Sequence, residues 1–84
     1  MVQDEARRVR KLRWLCRRGI KELDILLEAF IHQNLQALQG GSWPELEALL
    51  HNEDDVLWDW VQQPASGGAV AYRNLLEEIR HGRR

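Results

Sequence analysis

The chain is 84 residues long, with 12 Lys and Arg against 13 Asp and Glu and a formal net charge of −1. That length allows one domain, which buries only about 60% of its extended surface and is expected to be stable by roughly 4–13 kcal/mol. A hydrophobic fraction of 44% with 30% charged residues excludes a disordered chain, no apolar run approaches the ~20 residues of a membrane span, and a single cysteine, Cys16, excludes an intramolecular disulfide and points to a reducing, cytoplasmic compartment.

Val9, Leu12, Leu15 and Cys16 form a narrow apolar stripe that predicts a first helix over residues 4–17, ended by Gly19 and favoured at its negative end by Arg17 and Arg18. This segment carries most of the positive charge. Residues 1–21 hold eight basic groups against Asp4 and Glu5 (+6), residues 22–72 hold nine acids and no Lys or Arg (−9), and the segment from Arg73 onward returns +2. Such segregation suggests a nucleic-acid arm or a face made for another protein. Organelle-targeting peptides are also Arg-rich, but they are poor in acids and rich in Ser. The segment therefore reads as mature protein.

Leu23, Leu26, Leu27, Phe30, Ile31, Leu35 and Leu38 keep the three-four spacing of a core face and predict one long second helix, stopped by Gly40-Gly41. Ser42-Trp-Pro-Glu45 has the form of a capping box for a third helix carrying Leu46, Leu49 and Leu50, with Trp43 as a staple before Pro44. Asp54 or Asp55 caps a fourth helix presenting Val56, Leu57, Trp60 and Val61. Pro64-Ala-Ser-Gly-Gly68 is a loop, and a fifth helix over 69–81 turns Tyr72, Leu75, Leu76 and Ile79 inward. The expected fold is an all-α, five-helix bundle in a single domain with its core over about 4–81. Trp60 belongs to the apolar face of the fourth helix. Trp14 and Trp58 lie off the cleanest stripes, either as an exposed aromatic patch or as large side chains closing the bundle ends.

Catalytic chemistry is missing from this pattern. His32, His51 and His81 lack metal-ligand spacing with one another or with Cys16. Gly40-Gly41 and Gly67-Gly68 are isolated pairs without the strand-to-helix setting of a phosphate loop. Cys16, on an apolar stripe, reads as a small core residue, and Asp54-Asp55 as helix caps. The chain reads as a non-enzyme.

The most specific stretch is Arg10-Lys-Leu-Arg-Trp-Leu-Cys-Arg-Arg-Gly-Ile-Lys-Glu-Leu-Asp24. It resembles the flavinylation factors of succinate dehydrogenase, the FAD assembly factor family of bacteria and mitochondria, whose R-G-x-x-E signature is matched by Arg18-Gly19-Ile20-Lys21-Glu22 and followed here by Leu23-Asp24. Trp14-Leu-Cys16-Arg17 is similar to the family's approach to that motif. Glu53-Asp-Asp-Val-Leu-Trp-Asp-Trp-Val61 is similar to its later acidic and aromatic block. Order, spacing and length agree over about residues 8–80. The Trp43-Pro44 helix start and the Pro64–Gly68 loop depart from the family pattern, at connections only.

The resemblance implies a five-helix protein that binds the flavoprotein subunit of succinate dehydrogenase, or of fumarate reductase, and promotes covalent attachment of FAD to a histidine of that subunit. It implies a partner-binding site of Arg18, Gly19 and Glu22 with Arg17, Trp14 and Asp24. It implies no catalytic residue, no metal and no tightly bound cofactor on a chain that is monomeric when free and neither binds nucleic acid nor inserts into a membrane. The motif also has a local reading, in which Gly19 caps the second helix and Glu22 folds back on the cap backbone. Arg18 alone is then left for a partner, or for a local ion pair with Glu22. The competing functional class is a small regulatory or nucleic-acid-binding module using the basic N-terminal segment, with strongly salt-dependent affinity.

Overall fold

The apolar spacings close into helices around one core in a computed structural model that describes residues 2–81, with side chains described from Arg7 onward. The order is α1 (Val2–Leu15), α2 (Lys21–Gln33), α3 (Leu35–Gln39), α4 (Leu46–Leu50), α5 (Asp54–Gln62), a 3₁₀ turn over Gly67–Tyr72, and α6 (Arg73–His81). The fold is all-α, with six α-helices among the described residues rather than five. The side chains of Asp4 and Glu5, and the Arg83-Arg84 end of the basic tail, lie outside the described residues.

The predicted faces meet as their spacing requires. Val9, Leu12 and Cys16 of α1, Leu23, Leu27, Phe30 and Ile31 of α2, all three leucines of α4, and Leu75, Leu76 and Ile79 of α6 are buried in one cluster. Burying each large side chain contributes about 1.5–3 kcal/mol. Helix α6 packs on both α2 and α5, while α1 lies against α2, α3 and α4. Leu15, Leu26, Leu35 and Tyr72 are half-buried at the edge of this core. Of the tryptophans, Trp14 is 73% exposed. Trp43, Trp58 and Trp60 are half-buried against the core. Trp60 is thus a boundary residue rather than a core one, stacked on Tyr72 at 6.1 Å between ring centroids.

The long second helix is interrupted at Asn34, which corrects the expected continuous element. The Asn34 backbone amide and its side-chain Nδ2 both donate to the Phe30 carbonyl, at 3.0 and 2.8 Å. Its backbone leaves the helical region at φ −115°, ψ 22°, and the chain restarts as α3. An Asn side chain that satisfies a last-turn carbonyl offers the backbone this alternative to helix continuation. The stop at Gly40-Gly41 holds, through a Schellman motif. Ser42 N–H donates to the Ala37 carbonyl and Gly41 N–H to that of Leu38, with Gly41 at φ 96°, where a side chain would be strained.

The capping box does not form. Trp43 takes a left-handed φ of 56°, and α4 begins only at Leu46, without a side-chain cap bond from Glu45. What holds this corner is Arg8, whose guanidinium donates to the carbonyls of Leu38, Ser42 and Trp43. Trp43 meets Phe30 edge-on at 5.8 Å. Neither aspartate caps α5 as predicted: Glu53 occupies the cap position without a side-chain cap bond, and Asp55 accepts only from the next amide, that of Val56. The fifth predicted helix divides into the 3₁₀ turn at Gly67–Tyr72 and α6, because the Gly67-Gly68 start lacks the side chains that favour a regular α-helix.

Candidate docking site

Helix α1 ends at Leu15, four residues before Gly19, so Gly19 lies within the connection to α2 rather than at the helix end. The connection turns there at φ 89°, in the left-handed region that glycine adopts without strain, and a side chain added at this point meets nothing within 4 Å. The N-cap of α2 is Ile20, with no side-chain cap bond. The residue that folds back is Asp24, not Glu22. Its carboxylate accepts the Arg18 amide on Oδ1 at 2.9 Å and the Gly19 amide on Oδ2 at 3.1 Å. Two successive N–H groups on one carboxylate are charge-assisted bonds that fix the turn.

Arg18 points into the molecule. Its side chain is 12% exposed, and Nε donates to Asp54 Oδ1 at 2.7 Å. Nη1 donates to the carbonyls of Leu15 and Leu50, and Nη2 to that of Asn52. One planar guanidinium thus joins the end of α1, the end of α4 and the start of α5, a task suited to its fixed fork of donors. The local ion pair with Glu22 is absent; Asp54, 36 positions away, is the partner instead.

The other predicted residues lie on the outside. Trp14, Arg17, Gly19 and Glu22 are all exposed along the last turn of α1, the connection and the first turn of α2. Glu22 has no hydrogen-bond or ion-pair partner among the described residues. Beside them, Arg13, Arg17, Asp24 and Glu28 line a small cleft of about 130 Å³ whose floor is Cys16 and Ile31. Burial pushes the Cys16 thiol up to about 12, and the nearby Arg18 offsets this only in part, so the sulfur is an inert core atom. Among the described residues, His, Cys, Asp and Glu form no group of three that could hold a metal ion.

Sequence reasoning missed Asp54 as the partner of Arg18, and Arg8 as the clamp on the α3–α4 corner. The first had a signal: Asp54 lies in the second family-like block. The second had none, since Arg8 is one of eight basic groups in its segment.

A family model described as the flavinator of succinate dehydrogenase matches residues 10–83. The FAD assembly factor SdhE of Coxiella burnetii is 33% identical over 70 residues, covering 83% of this chain and 85% of its own. That of Legionella pneumophila is 36% identical over 69 residues, covering 82% of each chain. The Haemophilus ducreyi FAD assembly factor SdhE is 33% identical over 70 residues, covering 83% of this chain and 85% of its own. No solved structure gives a significant match. With a match that spans both the motif corner and the α5 block, the chain belongs to the family of succinate dehydrogenase flavinators.

Proposed function

We propose that this chain is an FAD assembly factor that docks on the flavoprotein subunit of succinate dehydrogenase, with that of fumarate reductase as a further client. It promotes covalent attachment of FAD to a histidine of that subunit. Trp14, Arg17, Gly19 and Glu22 form the contact surface; Arg18 and Asp24 hold it in shape from behind. The carrying observation is that the exposed members of the motif share one corner whose backbone is fixed by Asp24 and whose base is fixed by Arg18.

The chain acts as a single-domain cytoplasmic monomer and carries out no bond-making step. Among the described residues, no helix is long and apolar enough to cross a membrane. The flavoprotein binds the flavin and forms the bond itself. The factor contributes orientation, holding the histidine and the flavin in the reacting arrangement, a contribution that lowers barriers by several kcal/mol. Trp14 supplies a large, rigid apolar anchor, the residue type most enriched at the energetic centre of interfaces. Glu22 supplies a charged acceptor for an Arg, Lys or backbone donor of the partner.

Gel filtration of the chain with the apo-flavoprotein subunit tests the docking surface. The wild type is expected to co-elute with it, and Gly19→Arg, which projects a long side chain from the middle of the corner, to elute alone while keeping its helical circular dichroism. Co-elution of both chains alike would remove the corner as the docking surface.

A further inference from the structure

The block Glu53–Val61 lies within the stretch that the family model matches, yet none of its residues lies in the docking corner. We infer that Asp54 in this block is a positioning residue for docking: through Arg18 it holds the motif corner in its binding shape. This inference rests on the proposed docking function.

The geometry separates the three neighbouring acids. Asp54 Oδ1 accepts from Arg18 Nε at 2.7 Å, whereas Asp55 binds only the adjacent Val56 amide and Glu53 makes no cap bond. Asp54 is the only carboxylate paired with Arg18 among the described residues, the guanidinium's other acceptors being the carbonyls of Leu15, Leu50 and Asn52. Arg18 is in turn the residue whose amide, with that of Gly19, is gripped by Asp24. The path is therefore short and physical. The carboxylate at the start of α5 orients the guanidinium, the guanidinium anchors residue 18, and the next residue is the left-handed glycine of the contact surface. The Arg18 side chain thereby ties the α4–α5 junction to the α1–α2 corner, which gives the second block a role at the site without touching the partner.

Preorganisation of this kind changes affinity rather than the rate of the bound complex. Asp54→Asn keeps the shape and can still accept a hydrogen bond, but loses the charge. It is expected to raise the concentration of factor needed for half-maximal flavinylation about tenfold, equivalent to about 1.4 kcal/mol, with the maximal rate unchanged. In the free chain the same variant is expected to speed hydrogen exchange at the Arg18 and Gly19 amides. Asp55→Asn changes neither reading, and Asp54→Glu restores most of both.

Equal behaviour of Asp54→Asn and Asp55→Asn in both measurements would overturn the inference. So would a loss of maximal rate at unchanged half-saturation, which would mark a direct contact with the reacting complex. If Asp54→Asn loses its fold, the Asp54→Glu chain decides: exchange at both amides as slow as in wild type supports the positioning role, and fast exchange contradicts it. The exchange arm needs no partner. A wild-type chain inactive in flavinylation therefore defeats the proposed function, while the exchange comparison still decides the inference.

Discussion

Glu22 and Asp24 are both acids near the start of α2, and only one of them is structural. Asp24 accepts two backbone N–H groups, while Glu22 is exposed and makes no cap bond. Glu22→Gln therefore removes only the favourable placement of a negative charge near the helix N-terminus, about 0.3–1 kcal/mol at most. A charge-assisted contact with the partner loses about 1.5–3 kcal/mol on the same change. The expected outcome is a near-unchanged melting temperature with flavinylation slowed about tenfold or more. A proportional loss in both, or in neither, would return Glu22 to a purely local role. Cys16 yields a prediction of another kind. Its folded-state value, about 12, lies above its ordinary 9.0. Below pH 9 the thiol is protonated in folded and unfolded chains alike, and its burial contributes fully. As pH rises from 9 toward 12 the unfolded chain releases that proton and the folded chain retains it, so stability falls. Cys16→Ala lacks this loss, and its melting temperature is expected to draw closer to that of the wild type across that window.

The elements were legible where local spacing decides them. The core faces of α1, α2, α4 and α6 follow from apolar residues three and four apart, and Gly41 ends α3 as a glycine with positive φ does. The Asn34 break was not legible, because the seven apolar positions from Leu23 to Leu38 keep helical spacing across it. The capping box at Ser42–Glu45 was legible and wrong. A three-residue spacing says nothing about Trp43, whose left-handed φ is held by the grip of Arg8 on three carbonyls from 30 to 35 positions away. The candidate site follows the same division. Exposed Trp14 and Glu22 are local facts of helix phase, whereas the inward turn of Arg18 depends on Asp54 arriving from another element. Arg8→Ala leaves those carbonyls to water or to no partner, a cost of about 1–3 kcal/mol. At roughly 4–8 °C per kcal/mol for a domain of this size, thermal unfolding is expected to shift down by about 5–20 °C. An unchanged midpoint would show that the corner holds itself.

At the scale of the whole molecule, the segregated charge has a partly internal use. Of the eight basic groups in residues 1–21, Arg8 holds the α3–α4 corner, Lys11 pairs with Glu47 at 3.0 Å, and Arg18 is enclosed by α1, α4 and α5. Arg7, Arg10, Arg13, Arg17 and Lys21 remain exposed and without such a role. That is a small basic surface on a body 37 × 25 × 24 Å across, beside nine acids between residues 22 and 72. Such a body repels a polyanion over most of its surface. The arrangement favours a protein partner over a polyanion, in keeping with the proposed docking corner. The most direct measurement of this account is incubation of the apo-flavoprotein subunit with FAD, with and without the chain, followed by denaturing electrophoresis and in-gel flavin fluorescence. The account predicts faster appearance of a fluorescent flavoprotein band with the wild-type chain and little gain with Gly19→Arg. Equal fluorescence with and without the chain would contradict it.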